Sequence, residues 1–249
     1  MFTRIIRKLL KGNKADSASF VAYLRAQGAT VGNDVVIYEP DSIFFGLNNP
    51  FNLCIGDHVR ITHGVCVADH GYDWSVLKGA YGDVLGSTAP VVIGSNVFIG
   101  IGAIILKGVT IGSNVIIGAG AVVTHDIPDN SVAAGNPCKV IMSLDEYRRK
   151  RRNAQLTEAE GLYRSYRRVH PEQIPDREVF REYFWLFERP DERGQFSCGE
   201  YDHVMHLLDD YDRSVKAMRE QHPMFASYEE FLQHCEATCV EQDGQVRED

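Results

Sequence analysis

Aliphatic residues recur at every sixth position through the middle of the chain: Val31, Ile37 and Ile43, then, past Asn49, Ile55, Ile61 and Val67. The spacing returns at Ile93, Ile99, Ile105, Ile111, Ile117 and Val123, two residues out of phase with the first series. The phase break predicts an inserted loop at about residues 71–90 that leaves the repeat. An amphipathic helix needs apolar residues at a period of about 3.6 and a half-buried strand at about 2, so a strict six with glycine at fixed offsets suits neither alone. It suits short strands joined by tight turns. Three hexapeptides make one turn, about 18 residues, of a triangular coil with aliphatic side chains inward and Gly or Asn at corners of positive φ. Between Val91 and His125 the only Lys, Arg, Asp or Glu is Lys107, as parallel strands stacked above and below permit. A buried sheet of another α/β fold would carry helix-period segments between its strands, and none separates these.

The texture changes at about residue 143. EYRRKRRNAQLTEAEGLYRSYRRV reads as a charged helix with Tyr and Leu along one side. REVFREYFWLF is too aromatic for an exposed face and is expected to bury against the coil, another helix or a partner. HVMHLLDDYDRSVKAMREQ and YEEFLQHCEATC read as further helices separated by Pro223, and the tail after Val240 as disordered. The chain thus divides into a basic helical segment (1–29), the repeat region (30–142) and a helical extension (143–249). The extension reads as a cap over the open strand edge of the last coil, with acceptor recognition as the competing role. Met1 to Lys14 interleaves Arg4, Arg7, Lys8, Lys11 and Lys14 with Phe2, Ile5, Ile6, Leu9 and Leu10. That spacing suits either an ordinary helix packed on its own domain or a peripheral helix on an anionic membrane, and it lacks the features of a secretory signal. No run of about 18 apolar residues is present to span a bilayer.

The formal charge of -8 argues against nucleic acid as a partner. The six cysteines form no C-x-x-C pair, which favours reduced thiols in a cytoplasmic protein over a disulfide framework or a zinc knuckle.

The stretch IGSNVFIGIGAIILKGVTIGSNVIIGAGAVVTHDIPDNSVAAGNPCKVI, Ile93 to Ile141, with its closing AAGNPCKVI, resembles the hexapeptide-repeat acyltransferases, in particular the galactoside, maltose and polysaccharide O-acetyltransferase branch. The resemblance covers about residues 30–142. It implies a mainly β chain built on a left-handed parallel β-helix, an exception to the right-handed crossover rule, with acetyl-CoA as acyl donor and a homotrimer whose active sites lie between subunits. The implied acceptor is a hydroxyl on a sugar of a surface polysaccharide or its precursor.

Acyl transfer to a hydroxyl needs a base, and histidine titrates nearest to working pH. Of nine histidines, His70 in VADHGYDWS stands where the first repeat series ends and the loop begins. In the related enzymes a histidine before a protruding loop is the general base, and His70 matches it; His63, in ITHGVC, is the rival and otherwise a pocket-lining residue. His58 and His125 are expected to face solvent or a subunit seam. Cys66 alternates with the inward Val67 and reads as structural rather than nucleophilic. Asp69 and Asp73 are the carboxylates nearest His70, but adjacency along a backbone disfavours the reach, and where relatives often read THDYS this chain reads DHGYD; the orienting partner stays open. Tyr72 and Trp74 either stack on a sugar ring or anchor the loop. By resemblance Gly102, Ala119 and Thr124 contact coenzyme A and Lys139 lies near its phosphates, while His125 replaces a common lysine. No metal is expected: a carbonic anhydrase on this fold needs three converging histidines, and the spacing of His58, His63 and His70 does not suit one. The same scaffold and base would also serve N-acetylation of an amino sugar, and a non-catalytic trimeric scaffold is the competing function from a different class. Serine acetylation would require a larger helical domain before the coil.

Overall fold

The computed structural model describes residues 10–46 and 48–245. The basic amphipathic segment expected at Met1–Lys14 therefore falls largely outside the described residues.

Three parallel sheets form the faces of a coil, and the chain visits them in rotation. The first face stacks Thr30–Val31, Leu53–Ile55, Val91–Ile93 and Thr110–Ile111. The second stacks Val36–Ile37, Arg60–Ile61, Val97–Ile99, Val115–Ile117 and Ser131–Ala134, and the third stacks Phe44–Gly46, Cys66–Ala68, Ile104–Ile105 and Val122–Val123. Registers align the inward side chains in columns: Val31, Ile55, Ile93 and Ile111 on the first face, and Ile37, Ile61, Ile99 and Ile117 on the second. All are buried in one continuous core, each contributing roughly 1.5–3 kcal/mol by leaving water. The third column is Phe45, Val67, Ile105 and Val123. Ile43, the position expected from the six-residue period, is buried, but Phe45 takes its place in the ladder. The cause is a 3₁₀ turn at Pro40–Ser42, entered through Glu39 at φ 48°, which lengthens the first coil beyond three hexapeptides.

Corners follow from residues that tolerate the left-handed region. Between the first and second faces Asn96, Asn114 and Asn130 all have positive φ. Their side chains form a ladder: the Asn96 amide donates to Asn114 Oδ1 at 2.8 Å and the Asn114 amide to Asn130 Oδ1 at 3.0 Å.

Both ends of the coil are closed by local chain. A helix at Ser17–Ala26, capped by the Asp16 carboxylate accepting from the Ser19 amide at 2.8 Å, inserts Phe20, Val21 and Leu24 into the coil core. Its Ser17 hydroxyl accepts from the Ile37 amide at 2.8 Å, giving an edge strand a partner. At the other end Lys139–Ser143 pairs antiparallel with Ser131–Ala134. That strand, which the hexapeptide pattern does not announce, covers the edge assigned in the sequence to a helical cap. Ser143 and Glu146 then form a reciprocal capping box for the helix Leu144–Val169.

The chain divides into two compact units, Met1–Arg148 and Arg149–Asp249. The second has its own core, in which the REVFREYFWLF segment, folded as 3₁₀ turns at Arg177–Phe180 and Phe184–Leu186, buries Phe180, Phe184 and Phe187. Phe184 stacks on Tyr201 at 4.8 Å and Phe187 on Phe231 at 4.9 Å. The final helix, Tyr228–Gln245, continues past Val240, where the sequence predicts a disordered tail. No helix among the described residues is long and apolar enough to cross a membrane.

Candidate active site

His70 lies where the chain steps off the coil. The strand Cys66–Ala68 ends, and His70–Gly71 pairs antiparallel with Ser87–Thr88 as the base of the protruding loop, His70 opposite Thr88. The loop carries a helix at Trp74–Tyr81 with no buried residue. Departure from the coil brings two consecutive side chains together: Asp69 Oδ1 is 2.7 Å from His70 Nδ1. Regular alternation along a strand puts neighbours on opposite faces, which is why adjacency disfavours the contact in sequence; the turn into the hairpin removes that alternation. The Asp69 side chain is 1% exposed and that of His70 16%.

A buried carboxylate requires donors, and Asp69 has three. Besides the imidazole, the Asn49 amide N–H donates to Oδ2 at 2.9 Å and that of Asn48 to Oδ1 at 3.4 Å. The irregular GLNNPFN segment thus supplies backbone donors to Asp69. Thr88 braces the same corner, its hydroxyl donating to the Asp69 carbonyl at 2.9 Å and accepting from the Asn52 side-chain amide at 3.3 Å. With Nδ1 facing a carboxylate, the imidazole carries its hydrogen there and leaves Nε2 as the acceptor.

Around the ring, Tyr72 makes an edge contact at 5.3 Å and Trp74 lies 6.0 Å from Tyr72. The three residues form one array, with Tyr72 exposed. Gly46 borders it: a Cβ there would stand 3.7 Å from His70 Cε1. A Cβ added at Gly71 would displace the exposed Asp73 carboxylate, and Lys107 Nζ lies 3.6 Å from the same point.

The other sequence-derived candidates sit apart. His63 Nδ1 is 2.6 Å from Glu39 Oε2, both side chains well exposed, at the corner between the second and third faces. Gly102 occupies that corner one coil on, its amide donating to the His63 carbonyl at 2.9 Å; its φ is 68°, and a Cβ there would meet nothing within 4 Å. Ala119 is exposed beside Gly120 one coil further, where the Gly120 amide donates to the Ile101 carbonyl at 2.8 Å. Thr124 follows the third face, 2.8 Å from His125 Nδ1, and Lys139 is exposed on the closing antiparallel strand. Gly102 and Ala119 thus lie along one edge of the third face and His70 and Thr124 along the other.

The histidines considered for a metal each face their own carboxylate. His58 Nδ1 is 2.9 Å from Asp34 Oδ2, in a group with Arg60 at 2.6 Å. Burial there pushes the Asp34 carboxyl up, but hydrogen bonds from His58 and Arg60 and the arginine charge outweigh it and hold it below its usual range. Among the described residues no three His, Cys, Asp or Glu side chains are grouped to hold a metal ion. Burial pushes the Cys66 thiol above its ordinary range, which keeps it protonated and disfavours a nucleophilic role.

Residues 90–125 match the family described as bacterial transferase hexapeptide (six repeats). Protein CapG of Staphylococcus aureus is 44% identical over 147 residues, which is 59% of this chain and 81% of that protein. Galactoside O-acetyltransferase of Escherichia coli (strain K12) is 35% identical over 134 residues, covering 47% of this chain and 65% of that protein, slightly under two thirds. A solved structure of galactoside acetyltransferase in complex with coenzyme A is 30% identical, covering 51% of this chain and 70% of that one with a TM-score of 0.40.

Proposed function

The chain belongs to the hexapeptide-repeat acetyltransferases, and from that premise we propose that it transfers an acetyl group from acetyl-CoA directly to a sugar hydroxyl, with His70 as general base. The observation that carries the reading is the Asp69–His70 pair at the mouth of the loop. His70 Nε2 accepts the hydroxyl proton as the acceptor oxygen attacks the thioester carbonyl carbon. As the carbon–sulfur bond breaks, His70 returns that proton to the leaving sulfur, so no acyl-enzyme is needed. Asp69 holds the ring in orientation and stabilises the imidazolium while it carries the proton. Tyr72 and Trp74 line the acceptor side beside His70, and His63, at the corner that carries Gly102, is proposed to join them from another copy.

Gly102, Ala119, Thr124 and Lys139 are proposed to hold the donor. Open space at Gly102 supports this, since an extended pantetheine chain needs small residues along its path. Gly102 and Ala119 lie across the third face from His70, so we take the complete site to form between copies of a left-handed coil in a homotrimer. The outward column of that face is apolar, with Phe44 63% and Ile104 37% exposed, and suits burial against another copy. Sedimentation equilibrium is expected to return three times the chain mass, and a monomer at micromolar concentration would remove this part of the reading.

The acceptor class is supported by the galactoside named for the E. coli relative; a surface polysaccharide or its precursor is the extension we propose. The test is release of free coenzyme A from acetyl-CoA across sugar, amino-sugar and amino-acid acceptors, with the product located by mass spectrometry. Sugar-dependent release with an O-acetyl product is expected. Release with amino sugars alone would move the assignment to N-acetylation, and none with any acceptor would favour a scaffold.

A further inference from the structure

Lys107 carries the single formal charge in the stretch from Val91 to His125, and it stands beside the candidate base rather than on an open face. Ile105 stacks on Val67 in the third face, so Lys107, two residues on, reaches the corner where the chain leaves the coil after Asp69. Its ammonium lies 3.6 Å from the point a Cβ on Gly71 would occupy, one residue from His70. The residue is half-buried, yet among the described residues Lys107 has no hydrogen bond or ion pair. No neighbouring acid takes its donors: Asp69 is engaged by His70, Asn48 and Asn49, and the exposed Asp73 carboxylate, which converges on the same Gly71 point and is a nearby counter-charge, makes no direct ion pair with the ammonium. A half-buried ammonium with unused donors can give an incoming anion the direct charge-assisted hydrogen bonds that it does not make to Asp73.

We propose that Lys107 is a specificity-determining residue that selects acceptors bearing an anionic group near the hydroxyl to be acetylated. The inference rests on the acetyltransferase reading and narrows its acceptor to sugars carrying a carboxylate or a phosphate.

The test compares kcat/KM for methyl glucuronide and glucose 1-phosphate with that for methyl glucoside, in wild type, Lys107→Met and Lys107→Arg. Taking the ratio within each protein cancels any uniform loss from altered folding. The expected result is a wild-type preference of about tenfold or more for at least one anionic acceptor, of the order of one charge-assisted hydrogen bond. The methionine variant loses it and the arginine variant keeps most of it. Which anion is preferred separates carboxylate from phosphate. A ratio that survives in Lys107→Met, or a wild type indifferent to charge, overturns the proposal, as does a variant effect confined to the KM for acetyl-CoA, which would place Lys107 on the donor. Calorimetric titration of the same three acceptors reads binding without turnover. Anion-selective binding lost in Lys107→Met upholds the anion site even where the acetylation reading fails, and equal binding of all three overturns it.

Discussion

Replacing His70 by alanine is expected to lower kcat by roughly 100- to 10,000-fold, the usual worth of a positioned general base, with little change in the KM for acetyl-CoA. The ring packs edge-on against Tyr72 rather than in the coil core, so the oligomeric state is expected to hold, while loss of one of the three donors to buried Asp69 lowers the thermal transition modestly. His63→Ala serves as the comparison, because its ring pairs with exposed Glu39 at another corner. An acceptor-dependent coenzyme A release that withstood His70→Ala and fell with His63→Ala would transfer the base assignment to His63.

Asp69→Asn is expected to come close to the same loss by another route. An asparagine amide can donate to Nδ1, which moves the ring hydrogen to Nε2 and leaves nothing there to accept the acceptor proton. The isosteric change preserves a carbonyl acceptor for one of the two amides from Asn48 and Asn49, so the loop should stay folded, whereas Asp69→Ala strands both and is expected also to lower the thermal transition. Because Asp69 acts through His70, the informative readout is the division between parameters: kcat falls by about 100-fold or more, the KM for acetyl-CoA stays within about threefold, and the pH dependence of kcat changes shape. Retention of kcat within about threefold in Asp69→Asn would reduce the carboxylate to a structural anchor for the loop.

The coil was legible because its determinants are local. An inward aliphatic at every sixth position and Gly or Asn at the corners are one-dimensional signals, and the columns through Ile93, Ile99 and Ile105 follow them. The replacement of Ile43 by Phe45 was hidden because a 3₁₀ turn at Pro40 adds length without altering the texture. The strand Lys139–Ser143 was hidden because antiparallel closure has no hexapeptide signature. His70 could be located from the place where the repeats stop. Its partner could not, since the reach of Asp69 depends on how the backbone turns there and on donors from a segment 20 residues away in sequence. The division of Gly102 and Ala119 from His70 was equally out of reach, because an insertion between the two repeat series obscures which corner a residue occupies.

The closed ends of the coil have a bearing on how such a protein behaves at high concentration. A stack of parallel strands with free termini is a template for end-to-end growth into fibrils. Here the Ser17–Ala26 helix plugs one terminus and the reversed strand Lys139–Ser143 occupies the other. Growth along the coil axis is thereby disfavoured, which leaves only the flanks for the closed assembly proposed above.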